Sequence, residues 1–193
     1  EIIVYLFIFS SEILGEIQNF YGIFPHWDTM LHTLNGFLCA AIGFSLVDIL
    51  NTTNSRITMT PSFVALVAFS FSMTVGVMWE FGEFAMDRYF YKDMQKDTIV
   101  NRISSVKINR SGENIPITLK YINKTEIYSD NGKTITIIDN GYLDIGLIDT
   151  MKDLFVNFIG AVVFCILGYL YIKNRDGYKF LEGFISKKKS KVE

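Results

Sequence analysis

The chain has 193 residues, of which half are hydrophobic, with 17 Phe and 10 Tyr, and a net charge of −2 at neutral pH. The mean hydropathy is positive and the isoelectric point lies near 5.7. That balance excludes an ordinary soluble domain and a nucleic-acid-binding role, because long uncharged runs dominate and no basic-aromatic groove or Gly-rich phosphate loop is present.

Several apolar runs approach or exceed the roughly 20 residues needed to cross a hydrocarbon core. The two cysteines, Cys39 and Cys165, fall inside such runs and read as small packing residues, not as a disulfide or zinc framework. The chain opens on Glu1 within an apolar run and shows no cleavable signal pattern, which reads as the continuation of an upstream segment carrying further helices.

The first element is expected over 2–23 as one helix, with Glu12, Glu16 and Asn19 spaced about a turn apart in its second half. Pro25 breaks it, since the residue before a proline disfavours helix. Asp28 then reads as the N-cap of a second helix over 29–50. The polar stretch 51–61, with Arg56, ends at Pro61, which is placed to open a third helix running from 62 to about 90. Residues 92–148 change character: β-branched residues and turn signals replace the apolar runs. Strands are expected over 98–109, 115–122, 124–129 and 133–138, with Asn131-Gly132 turning a hairpin between the last two. A fourth helix follows over about 150–172, and the tail carries Lys173, Arg175, Lys179, Lys187, Lys188, Lys189 and Lys191.

The fold class expected is therefore an all-α transmembrane bundle of about four helices with a small β-rich, water-facing insert. The divisions are 1–91 for helices one to three, 92–148 for the insert, 149–175 for helix four and 176–193 for a basic tail. Basic flanks stay on the cytoplasmic side of a span. The tail is thus placed in the cytoplasm and the insert outside a bacterial cytoplasmic membrane.

Helices alternate in direction across a bilayer, and this brings the polar ends of all four to one side. The second helix offers Asp28 and His32, one turn apart. The third offers Glu80, Glu83 and Asp87. The fourth offers Asp149, Asp153 and Asn157 at i, i+4 and i+8, on one helix face. Arg88 and Lys152 are the cations nearest in sequence. So many carboxylates do not stay charged and unpaired at a partly dry site. They require protonation, a bound cation or an open, wet vestibule. Asp28 and Asp149 also have a bland account as N-caps. Glu80 and Glu83 do not, because the helix C-terminus disfavours anions and bilayer depth adds to the cost. Gly36, Gly76 and Gly160 continue these faces as small residues that let membrane helices approach.

The runs HWDTMLHTLNGFLCAAIGF (26–44), WEFGEFAMDR (79–88) with DMQKDT (93–98), and DTMKDLFVNFIGA (149–161) resemble the blocks of a bacterial membrane-spanning family of unknown function, the YjdF type. They are more distantly similar to VanZ-like membrane proteins. The resemblance covers the helical part. The stretch between 98 and 142 reads as an addition present in only part of that family. The resemblance implies fold and membrane location more than activity, and carries the motif onto Asp28, His32, Gly36, Trp79, Glu80, Glu83, Asp149, Asp153, Asn157 and Gly160.

Three functions stay open at this point. The first is ion-linked binding or transport of a small or amphiphilic ligand at the acidic end. The second is a metal-dependent enzyme acting on a lipid or lipid-linked substrate, with His32, Glu80, Glu83 and Asp153 offering ligands to a divalent cation. No known catalytic signature is visible for it. The third is a structural protein, in which the polar residues tie the bundle together and the insert meets a protein partner. The lipid bilayer is the one partner composition demands, and a homo-oligomer is compatible with all three.

Overall fold

The structure is a computed structural model that describes residues 2–53 and 58–186. Arg56 and the tail residues Lys187, Lys188, Lys189 and Lys191 lie outside the described residues. The chain divides into two compact units, one of residues 1–82 and 151–193, the other of residues 83–150.

Among the described residues there are five α-helices: α1 (Ile2–Ile8), α2 (Phe20–Ile23), α3 (Trp27–Thr53), α4 (Pro61–Phe90) and α5 (Leu147–Lys173). The last three are each long and apolar enough to cross a membrane. They correspond to the second, third and fourth expected helices, with ends shifted by a few residues. Pro61 opens α4 as expected, where its missing N–H costs nothing. The Thr60 hydroxyl just before it accepts the Phe63 N–H at 3.3 Å.

The first expected helix is corrected. After α1 the chain winds as a π-helix over Phe9–Ile17, closed by the Gln18 N–H donating to the Ile13 carbonyl. Ser10 and Ser11 donate back to the Leu6 and Ile8 carbonyls, competing with the regular ladder at the junction. Asn19 then takes a left-handed conformation at φ 57°, a turn that Asn tolerates better than most residues. Seven residues of α-helix and nine of π-helix fall short of a span.

In the first unit the core lies between α3, α4 and α5. Ala40, Phe44, Val64, Ala68, Ala161 and Phe164 have no exposed surface. Phe164 meets Phe37 and Phe44 edge to face, with centroids 5.0 and 5.8 Å apart. The outer faces are apolar too: Leu50, Leu66, Met78, Phe81, Phe155 and Ile166 are all more than half exposed. Apolar side chains inside and outside together are what a bilayer solvent permits.

The approach of α3 to α5 depends on two glycines. A Cβ at Gly36 would lie 2.0 Å from the Asn157 carbonyl oxygen, and one at Gly160 would lie 2.0 Å from that of Thr33. The tail is not merely a charged extension. Its 3-10 turn, Lys179–Gly183, buries Leu181, and Ile185 follows it into the core. The Ser186 N–H donates to Ser45 Oγ at 3.0 Å. Arg175 donates to Asp48 at 2.8 Å and lies over the Tyr171 ring.

In the second unit three two-stranded antiparallel ladders form. They pair β1 (Ile99–Val100) with β6 (Tyr142–Leu143), β2 (Ile103–Ser105) with β3 (Ile117–Leu119), and β4 (Lys124–Tyr128) with β5 (Thr134–Asp139). The long strand expected over 98–109 is split between two ladders, and β6 is an addition. The β4–β5 hairpin stands where expected. Its loop is the longer variant: only Gly132 has positive φ, and the Gly132 N–H donates to the Ser129 carbonyl.

Candidate functional site: an acidic cluster at one end of the spanning helices

In the first unit the start of α3, the later part of α4 and the start of α5 lie together. His32 stands one turn after Asp28 on α3, so its Nε2 comes within 3.5 Å of Asp28 Oδ1. The other ring nitrogen, Nδ1, faces Glu80 Oε1 of α4 at 3.9 Å. From α5, Lys152 Nζ lies 3.8 Å from Asp28 Oδ2 and 3.6 Å from Asp153 Oδ1. Asp153 and Glu80 are buried, at 1% and 4% exposure, whereas the Asp28 and Lys152 side chains reach solvent.

Asp28, His32 and Asp153 each direct one ligand atom so that all three lie within 4.8 Å of one another. Two donors on one ion at about 2.1 Å sit no more than about 4.2 Å apart, so modest closure would bring these three within reach of one ion and leave its remaining positions to other donors. One imidazole with carboxylates suits a borderline or hard divalent ion such as Zn²⁺, Mn²⁺ or Mg²⁺. Glu80 lies on the other side of the ring, with Oε1 3.9 Å from His32 Nδ1, the nitrogen away from Asp28.

Below this group the contacts are structural. Asn157 is buried, accepts a bond from Asn35 Nδ2 at 3.3 Å, and contacts Met73 Sδ. Its amide fills the space over Gly76, where a Cβ would lie 2.7 Å from Nδ2. Ser72, fully buried on α4, donates to the Gly36 carbonyl at 2.7 Å. These bonds tie the three helices together one to two turns from the cluster.

The remaining candidates belong to the second unit. Asp87 accepts the Met94 and Gln95 N–H groups at 2.7 and 2.8 Å. Asp149 accepts the Lys96 N–H at 2.8 Å. Asp144, which sequence reasoning missed, accepts Thr98 and Ile148 N–H groups at 2.7 and 2.8 Å. Together they hold the backbone of 94–98, the stretch that carries the DMQKDT motif. N-capping is corrected for both Asp28 and Asp149: each lies inside the first turn of its helix, and Asp144 serves the start of α5 instead. Glu83 is also in this unit, half-buried. Glu12 and Glu16 are exposed on the π-helix. The Asp48–Arg175 pair is likewise absent from the sequence-level candidates, although a lone carboxylate near the end of an apolar run is itself a signal that a cation stands nearby.

Three spanning helices with outward apolar faces and a polar cluster at one end define an integral membrane protein. The chain belongs to DUF2238, a family described as predicted membrane protein, whose model matches residues 1–174. This agrees with the resemblance to a membrane-spanning family without an assigned reaction. An uncharacterized protein of Thermotoga maritima is 28% identical over 81 residues, covering 42% of this chain and 40% of that protein. The chain thus spans less than half the length of that relative. No solved structure matches.

Proposed function

We propose that the polar end of α3, α4 and α5 binds a divalent cation through Asp28, His32 and Asp153, and that the protein couples this ion to binding or transport of a small or amphiphilic ligand. The observation that carries this is the convergence of three ligand atoms from two helices within 4.8 Å. Glu80 holds the imidazole from behind. Lys152 is the resident counter-ion: its ammonium lies close to both Asp28 and Asp153, and its long, part-exposed side chain swings outward when an ion arrives. An amphiphile is favoured by an open apolar groove of about 490 Å³ between α3 and α5. It is lined by Thr33, Leu34, Phe37, Gly160 and Val163, with His26 and Thr29 also in its wall.

The membrane is the bacterial cytoplasmic membrane in this proposal, with the 92–148 insert outside and the tail inside. Lys173 at the end of α5, and Arg175 and Lys179 after it, support that orientation. Metal content of the purified protein, by elemental mass spectrometry, tests the site. The wild type retains one divalent ion per chain. His32→Ala and Asp153→Asn lose it, and Glu80→Gln keeps it with affinity lowered roughly 10–100-fold. No metal in the wild type after loading with Zn²⁺ or Mn²⁺ would refute the cation site.

A further inference from the structure

A second groove opens between α4 and α5, toward the end of the bundle where α4 starts and α5 finishes, with a volume of about 530 Å³. Ser62, Ala65 and Phe69 line one wall, at i, i+3 and i+7 of α4. Val162, Ile166 and Tyr169 line the other, at i, i+4 and i+7 of α5. Those spacings put each set on one helix face. Cys165 Sγ donates to the Ala65 carbonyl at 3.3 Å and ties the two walls together. At the inner end Phe69 packs edge to face on Phe158, with centroids 5.6 Å apart, and the lining stops there.

The lined stretches, residues 62–69 and 162–170, are roughly 10–12 Å long at a helical rise of about 1.5 Å per residue. That is the greater part of one leaflet's hydrocarbon, about 15 Å deep. An acyl chain of one leaflet needs no more, whereas a spanning helix would need a surface twice as deep. The next position on the α5 stripe is Lys173, one turn after Tyr169. Its ammonium lies over the Tyr169 ring, 4.6 Å from the centroid, so a cation stands at the groove's outer end. The neighbouring cations are given to carboxylates: Arg175 to Asp48 at 2.8 Å, and Lys179 to Asp176 at 3.1 Å. The first turn of α4 holds no acidic residue, and it carries the positive end of the helix dipole. The groove is therefore apolar along its depth and positive at its outer end.

We propose that the α4–α5 groove holds one anionic phospholipid of the leaflet on the tail's side, with an acyl chain along Ala65, Phe69, Val162 and Ile166 and the phosphate on Lys173. A basic position between spanning helices selects an anionic headgroup. The groove beneath it fixes where that lipid sits, because the chain fills a space that two packed helices leave open. A zwitterionic lipid fills the same groove but gains less from the lysine, since its own ammonium offsets the phosphate charge. The site stands roughly 30 Å along α5 from Asp153, at about 1.5 Å per residue. It is independent of the cation site, and either can fail alone.

Native mass spectrometry of the full chain tests it, from mixed micelles holding equal amounts of phosphatidylglycerol and phosphatidylcholine. The wild type is expected to retain one phosphatidylglycerol per chain, about fivefold over phosphatidylcholine, the discrimination that one lysine near a membrane surface supplies. Lys173→Gln keeps a lipid and loses the preference. Lys179→Gln, whose lysine is paired with Asp176, leaves the preference unchanged. Ala65→Phe fills the groove from α4 and abolishes retention of both lipids, and Val162→Phe does the same from α5. A thermal melt shows which of these two variants is folded. Retention of phosphatidylglycerol by a folded groove-filling variant, an unchanged preference in Lys173→Gln, or no lipid on the wild type would each overturn the assignment. So would a lipid-free dimer that Ala65→Phe breaks, which would put a second copy of the chain in the groove.

Discussion

At the residue scale, the meaning of each carboxylate depends on what faces it. Asp28, Asp153 and Glu80 face an imidazole or an ammonium, whereas Asp87, Asp144 and Asp149 face backbone N–H groups. The two groups should answer differently to substitution. Lys152→Met removes the competing ammonium, and the account expects tighter divalent binding, by about tenfold in titration calorimetry, since one displaced charge-assisted contact is worth roughly 1–2 kcal/mol. Asp97 gives a pH-dependent case outside the spans. Partial loss of solvent, then the charges of Asp93 and Asp144, push its carboxyl above the usual range, while a Gly146 backbone bond acts the other way. A carboxyl raised on folding favours the folded state below the ordinary Asp value. That favour is lost as pH climbs from about 4 through the raised value. Asp97→Asn should therefore slow hydrogen exchange in the insert at pH 7 relative to wild type and leave it unchanged at pH 3.

At the scale of elements, the three spanning helices were legible because length and apolar content alone decide them, and Pro61 marks one start. The clustering of Asp28, His32, Glu80 and Asp153 was legible from helix alternation. Helix one was not, because its hydropathy resembles that of a span. The break depends on serine back-bonding and the left-handed Asn19, which hydropathy does not register. Asp87 and Asp149 share the spacing of the cluster residues, and spacing does not reveal that the 94–98 loop folds onto them. The tail was opaque for a related reason: its lysines concealed Leu181 and Ile185, whose burial is a tertiary effect. The glycine contact between α3 and α5 yields a sharp expectation. Gly160→Ala places a methyl against the Thr33 carbonyl and forces the helices apart, costing roughly 1–3 kcal/mol or more. Gly82→Ala, with open space around it, should be neutral or slightly stabilising in the same thermal melt. Equal behaviour of the two would argue against close packing of α3 on α5.

For the whole molecule, the membrane unit and the insert are separate compact units, and the residues of the proposed cation site all belong to the first. Removing residues 98–142 should therefore leave metal stoichiometry intact, read by elemental mass spectrometry. Loss of the metal would tie the site to the insert. Orientation has its own test: a membrane-impermeant maleimide applied to intact cells should label a cysteine placed at Asp130 and spare one placed at Lys179. The reverse pattern would invert the topology without moving the cluster, because the polar ends of α3, α4 and α5 share a side in either orientation. The central claim is that Asp28, His32 and Asp153 form one cation shell. X-ray absorption at the metal edge of the Zn²⁺- or Mn²⁺-loaded protein tests it most directly. The account predicts a shell of nitrogen and oxygen with a single imidazole and no sulfur, and loss of the imidazole scattering in His32→Ala. A shell without imidazole in the wild type, or a fully hydrated ion, would contradict it.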